Sequence, residues 1–493
     1  MQVNEKRMTQ RDSRFLSLVA LLALAVPTGS RADEAPLWGG VSQIDITPKV
    51  GYPHYRGVST AIDDPLHVKS VVLSQGETKW AIAVCDLLWI ERELSAEARI
   101  RVSEQTGIPF EHILIAATHT HTGPAYHPNI YELNNHVRKA SREQEREDIA
   151  RDNYPDTLLD RIVASLVQAH DSAVPVTVRN GTVQIDDLSF NRRFYLADGK
   201  VRTNPGVGNR AIVRAAGPID PDLDVLWIER SDDGGLLGVV SSFAVHSDTY
   251  GSTAFSADYP GVLAQKLEDS LGDEVVSLFL QGASGDLNHV NTTKGAERLK
   301  TSVIGERLAR EVLGLEERSA SVKGPTLEAS SEFVYAPLQS YSEEELRWAM
   351  DLEATPKYGE SGLFQRRRPM KIRSLARMRA EEAVPPTVEA EPWALPVEVQ
   401  AFRLSDEIAV VGLPGEVFVE LGLAIKEASP FPTTLVVELT QVHIAYVPTR
   451  KAFAEGGYEV LNSRLAPGGG ERLVESAVRQ LRALKHGEPE APR

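Results

Sequence analysis

Three times along the chain, two apolar runs of strand length flank a polar turn and are followed by a helical pattern and a third apolar run. The first begins with His67 to Leu73, turns through Ser74-Gln75-Gly76-Glu77-Thr78 and continues as Lys79 to Cys85. Short apolar runs around a polar turn containing glycine predict a hairpin. Apolar residues at helical spacing then predict a helix over Ser95 to Thr106, and Ile113-Leu114-Ile115-Ala116-Ala117 predicts a strand leading into His119. The order returns with Leu223 to Glu229, the turn Ser231-Asp232-Asp233-Gly234-Gly235, and Leu236 to Val245 ending at His246. A helix over about 259–270 and a strand from Val275 to Leu280 follow, and lead into Gln281-Gly282-Ala283-Ser284-Gly285-Asp286-Leu287-Asn288. The third copy runs from Val397 to Leu404, turns at Ser405-Asp406-Glu407 and continues as Ile408 to Leu413, up to Pro414-Gly415-Glu416. A helix to about Lys426 and the run Thr434 to Leu439 then approach Tyr446.

The pattern predicts an α/β fold of mixed sheets with crossover helices, built from about three strand-strand-helix-strand units around one metal site. In each unit a metal-capable residue stands where the second strand ends: Asp86, His246 and Glu416. A second polar group stands at or just past the end of the third strand: His119, Asn288 and Tyr446. Strand ends in α/β sheets collect ligands because their loops carry function on a rigid frame. The segment 324–394 breaks the pattern with a helical stretch at Ser342 to Leu352, the run Arg366-Arg367-Arg368 and the pair Pro385-Pro386. It reads as an insertion over the core, either a lid or a solvated connection with surface helices.

The N-terminus adds an address. Lys6, Arg7, Arg11 and Arg14 precede a largely apolar stretch from Phe15 to Val26, then Pro27 and Ser30-Arg31-Ala32. This is the pattern of a secretory signal cleaved after Ala32, and the run is too short for a membrane anchor of about 20 apolar residues. The expected organisation is therefore a signal peptide at 1–32 and a single domain at 33–493, exported to a secreted or periplasmic location. No later segment is apolar enough to span a membrane. Removing residues 1–32, with five basic and two acidic side chains, takes the net charge from −16 to −19, which argues against a nucleic-acid partner. The one cysteine, Cys85, rules out an internal disulfide, so stability rests on the core and on any metal clip. Oligomeric state is left open.

Candidate chemistry centres on His119 and His121. Two residues apart at a strand end, their imidazoles face one side in extended conformation, which suits one metal or one ligand with one acid/base group. His246 reads either as a ligand or as a core histidine satisfied by Asp248. Glu416 reads as a ligand or as a first-turn glutamate favoured by the helix dipole. Tyr446 alone reads as packing.

Together these strings resemble a known family. Ala117-Thr118-His119-Thr120-His121-Thr122-Gly123-Pro124, Asn191-Arg192, Phe243-Ala244-Val245-His246, Leu413-Pro414-Gly415-Glu416, and Tyr446 with Tyr458 twelve residues on are similar, in that order, to the neutral, non-lysosomal ceramidases. The resemblance covers most of the mature chain. It implies a hydrolase with one zinc per chain, held by His119, His246, Glu416 and Tyr446, that cleaves a linear amide such as an N-acylsphingosine by attack of zinc-activated water. On that likeness His121, Arg192 and Tyr458 fall on further active-site positions, His121 for proton movement and Arg192 or Tyr458 for the oxyanion. The implied substrate is a small-molecule or lipid amide of sphingolipid metabolism.

Two departures stand out. Ceramidases carry Gly-Asp-Val-Ser-Pro-Asn where this chain has Gly285-Asp286-Leu287-Asn288-His289-Val290, so Asn288 takes the serine position, with Ser284 close by. An amide can donate to an oxyanion but cannot act as a nucleophile. Only 47 residues follow Tyr446, which leaves no room for the C-terminal β-sandwich domain of well-known ceramidases, so a catalytic domain alone is expected. Two other functions remain open at this stage. Asp86, Asp286, Asn288, His289 and His246 suggest a two-metal phosphoesterase, and the missing serine suggests a non-catalytic extracellular binding protein that keeps the fold.

Overall fold

A computed structural model describes residues 35–54, 56–127, 153–292, 298–351, 363–383 and 393–487. The signal sequence expected at 1–32 lies outside the described residues.

The first hairpin pairs His67–Gln75 with Thr78–Cys85, antiparallel, and Gly76 at φ 58° makes a two-residue turn that a side chain would strain. Helix Arg92–Thr106, ended by Gly107 in the left-handed region, then crosses over to Ile113–Ala117, which pairs parallel with Thr78–Cys85. The chain repeats this pairing at Asp222–Arg230 and Leu236–Phe243, followed by helix Asp258–Leu271 and the parallel strand Val276–Gln281. It does so again at Ala394–Arg403 and Ile408–Gly412, followed by helix Val419–Ala428 and the parallel strand Thr433–Val437. A parallel strand needs such a crossover, and the apolar face of each helix covers the sheet it spans.

The first two hairpins join into one nine-stranded sheet through Val174–Gln184 and Trp38–Asp45, and the third lies in a separate four-stranded sheet. The two sheets pack face to face. Ile82, Leu114, Leu226 and Leu278 from one meet Phe402, Val410, Leu435 and Val437 from the other in one buried cluster. Helices 92–106 and 154–171 cover one half of the large sheet's outer face, and helices 258–271 and 301–315 cover the other half. Helices 419–428 and 469–486 cover the small sheet. The result is a mixed α/β fold of four layers. Among the described residues no helix is long and apolar enough to cross a membrane.

The segment expected as an insertion departs from that reading at its start. Glu328–Pro337 is a strand of the small sheet, in continuous register with Ala394–Arg403 over ten residues, and only the helices Glu343–Asp351 and Leu363–Glu381 follow it outside the sheet. Ile372, Leu375 and Met378 of the second helix are buried, so its described part packs on the protein.

Three backbone contacts bring the strand ends together. Glu438 N–H donates to the Gln281 carbonyl, Gln441 N–H to the Ile115 carbonyl, and Thr118 N–H to the Cys85 carbonyl. The loops after Ala117, Phe243, Gln281, Gly412 and Val437 therefore open onto one place.

Candidate metal centre

His119 enters this place from the strand Ile113–Ala117 with φ 68°, a left-handed conformation uncommon for a side-chain-bearing residue. It is almost fully buried, and its Nδ1 lies 2.7 Å from the Leu88 carbonyl oxygen. A carbonyl only accepts, so Nδ1 carries a proton and Nε2 faces inward. That Nε2 stands 3.1 Å from Nε2 of His246 and 3.6 Å from Oε2 of Glu416. Glu416 Oε2 is buried and makes no hydrogen bond among the described residues.

A buried carboxylate oxygen without a donor costs free energy. A cation held between that oxygen and the two ring nitrogens removes the penalty. The residues present therefore fit a metal ion, and the donor set of imidazole nitrogens and carboxylate oxygen suits zinc. His121 belongs to the same group: the ligating atoms of His119, His121 and His246 lie within 4.8 Å of one another. Distance alone does not separate the roles of His119 and His121.

Charge follows the same geometry. Burial pushes the Glu416 carboxyl up, but the close approach of His119, aided by His443 and Arg192, outweighs this and takes it down to about 2. Burial lowers His121 to about 4, against the pull of Asp248, and lowers His246 well below the usual imidazole range. Both rings are neutral, as metal ligation requires. Asp248, the residue that would satisfy His246 as a core histidine, instead ion-pairs with Arg56 and lies 3.8 Å from His121 Nδ1.

Tyr446 reaches the centre by backbone pairing, since Glu416-Val417 runs parallel to Tyr446-Val447. Its buried ring stands edge-on to Tyr458 at 5.8 Å, with the Arg192 guanidinium carbon 5.5 Å from its centroid. Arg192 Nε donates to Glu459 Oε1 at 2.9 Å and Nη2 to the Gly285 carbonyl at 2.6 Å. Burial opposes the Arg192 charge, but Tyr446, Glu459 and Glu416 hold it above its ordinary value. The backbone around Glu416 is tight. A Cβ on Gly285 would lie 2.5 Å from the Glu416 carbonyl oxygen, and one on Gly415, at φ 76°, would lie 2.5 Å from the Ala445 carbonyl oxygen.

Asp86 and Asp286 are used up elsewhere. Asp86 accepts from His67 N–H at 2.8 Å and Thr118 hydroxyl at 3.2 Å. Asp286 accepts from Val419 N–H at 2.9 Å, at the start of helix 419–428, and from the Asn191 amide at 2.8 Å. Ser284 is fully buried, donating to Glu438 Oε1 at 2.6 Å and accepting from the Gln281 amide at 2.9 Å. Asn288, by contrast, lines a cavity of about 250 Å³ that also touches Arg192, His246, Asp248 and His289. In the sequence His289 enters only as a member of a two-metal set, and its mismatch with the family string is the signal that marks it. His443 stacks on Trp89, with ring centroids 3.7 Å apart, and His127 faces Glu91 at 3.5 Å.

Residues 39–330 match the family described as neutral/alkaline non-lysosomal ceramidase, N-terminal. A neutral ceramidase of Pseudomonas aeruginosa is 23% identical over 507 aligned positions, covering 91% of this chain and 72% of that protein. The crystal structure of neutral ceramidase from Pseudomonas aeruginosa superposes with a TM-score of 0.67 at 20% identity, over 93% of this chain and 76% of that one. A ceramidase complexed with C2 gives 0.67 at 19% identity, over 93% and 77%. At these identities the structures show a shared fold. The sequence match over more than half of the chain shows more: this protein belongs to the neutral/alkaline non-lysosomal ceramidase family.

Proposed function

We propose that the protein is an exported zinc-dependent hydrolase of linear amides of the ceramide type. The observation that carries this reading is the convergence of His119 Nε2 and His246 Nε2 with a buried Glu416 oxygen that has no hydrogen-bond partner among the described residues. In this reading His119, His246, Glu416 and Tyr446 hold one zinc, and the three related units of the fold exist to bring those strand ends to it. The consumed carboxylates of Asp86 and Asp286 favour one metal over the two of a phosphoesterase, which needs a bridging carboxylate. Export is supported by the basic, apolar and small-residue order of residues 1–32.

The zinc would supply Lewis-acid polarisation of a carbonyl and acidification of a water. The protein's own groups do the rest. His121 is placed to take a proton, with Asp248 near its Nδ1 to stabilise the charged ring. Arg192 is tied to Glu459 and Gly285 and lies against Tyr446, so it holds that tyrosine in place and adds positive potential where an oxyanion develops. Tyr458 packs edge-on against the same ring from the other active-site position. Asn288 Oδ1 accepts from Val290 N–H, and one amide hydrogen goes to Asn204, so the second is left for a substrate oxygen.

The test has two parts. Metal analysis of protein purified without chelator should find about one zinc per chain. Mass spectrometry after incubation with mixed ceramides, N-acyl amino acids and short esters should find a released fatty acid. Zinc-free protein, or full zinc occupancy with no product from any amide, rejects the reading.

A further inference from the structure

The two positions where the Gly-Asp loop departs from the family string, Asn288 for serine and His289 for proline, line one cavity, and that cavity touches His246. At about 250 Å³ it falls below the roughly 300–1,000 Å³ that encloses a drug-sized ligand, so it has room for a small head group and not for an acyl chain. Its wall is polar. His289 is 3% exposed, and neither ring nitrogen has a hydrogen-bond partner among the described residues. Orphaned buried polar atoms call for a ligand or water.

The charge on the wall can be counted by pairs. Arg192 is paired with Glu459, and Asp248 with Arg56. What remains is the Arg298 guanidinium, which lines the same cavity from its exposed edge and makes no ion pair among the described residues. Burial, with the Arg298 charge adding to it, pushes the His289 imidazole down to about 4, so at neutral pH it offers one N–H. An unpaired cation beside unpaired donors in a small pocket is the environment of an anion.

We propose that the cavity bounded by Asn288, His289 and Arg298 is a subsite for a small anionic group on the amine half of the substrate, a carboxylate or a phosphate ester. This rests on the amide-hydrolase reading and narrows it. Among linear amides, the protein prefers those whose amine carries a negative group, such as N-acyl amino acids, over those whose amine carries only hydroxyls. Hydrolysis breaks the amide C–N bond, forms a C–O bond from water and returns the water's protons to the departing amine. The product left in this cavity is then an amine bearing the anion.

The test compares three substrates with the same dodecanoyl chain: N-dodecanoylglycine, N-dodecanoyl-O-phosphoethanolamine and the neutral N-dodecanoylethanolamine. For the zinc-loaded wild type, kcat/KM should be at least about tenfold higher for one or both anionic amides, as expected for a charge-assisted contact. The more favoured of the two identifies the anion. The anionic-to-neutral ratio should fall toward one in Arg298→Ala and in His289→Ala, and in the wild type it should shrink with added salt. A neutral amide turned over as well as the anionic ones by wild type overturns the subsite and leaves the hydrolase reading standing. Calorimetric binding of the same amides to zinc-free protein separates the two ideas further. Anion-selective binding that weakens in Arg298→Ala, without turnover of any amide, keeps the subsite and rejects the hydrolase. Absence of both turnover and selective binding rejects both.

Discussion

Asp86 and Glu416 stand at matching places, each where the second strand of a hairpin ends, and they meet opposite surroundings. Asp86 is filled: the first residue of the neighbouring strand, His67, gives it an N–H, and Thr118 gives it a hydroxyl. Glu416 is just as buried, but its backbone is engaged with Tyr446 and its Oε2 faces His119 with no donor among the described residues. The fold delivers a carboxylate to both strand ends. The nearby donors decide whether it becomes a strut or stays open to a cation. Glu438 is a third case, filled by Val417 N–H and the Ser284 hydroxyl.

The largest effect should come from removing the unfilled carboxylate or its histidine neighbour. Glu416→Ala and His119→Ala should drop zinc from one per chain to near zero and amide turnover by more than about a thousandfold. Asp86→Ala should retain its zinc in the same metal analysis. Loss of zinc in the Asp86 variant would erase the contrast.

Next in size is a pH effect of the filled carboxylate. Burial raises the Asp86 pKa from 3.8 to about 6. Between those values the native protein binds a proton that the unfolded chain has released, so stability falls as pH rises through the window. The fall attributable to Asp86 is about 3 kcal/mol, at about 1.4 kcal/mol per pH unit. Urea denaturation of zinc-free protein should show the fall in wild type and a flatter profile in Asp86→Asn. Equal slopes in both would mean that the carboxyl is not strained by burial.

The smallest effect sharpens the role of the loop serine. Ser284→Ala removes one donor to Glu438 and should cost about 1 kcal/mol by denaturation, with kcat within about twofold of wild type. A collapse of turnover would place the Ser284 hydroxyl in the chemistry and not in the frame.

Much of this is legible in the sequence. The three hairpins are legible because Gly76, Gly234 and the Ser405-Asp406-Glu407 turn punctuate clear apolar runs, and the residues ending those runs include His246 and Glu416. Val174–Gln184, which helps join the halves of the large sheet, is not legible. Its faces are mostly part-exposed, and Asn180-Gly181 reads as a turn. A Cβ at Gly181 would meet the Ser319 hydroxyl at 2.8 Å. Glu328–Pro337 hides for a related reason, being an edge strand whose polar residues give no apolar run. In the site, the motif strings point to His119, His246 and Glu416. Asp248 facing His121 and Arg298 closing the cavity depend on loops far apart in sequence, and no local pattern carries such a contact.

The packing around Glu416 has a consequence for how this protein tolerates genetic change. Gly285 and Gly415 carry no functional group, yet a single methyl at either would collide with the main chain at or next to Glu416 and displace it. In a saturation-mutagenesis screen for activity, both glycines should therefore score alongside the histidines, and a map of intolerant positions would draw the active site larger than its chemistry.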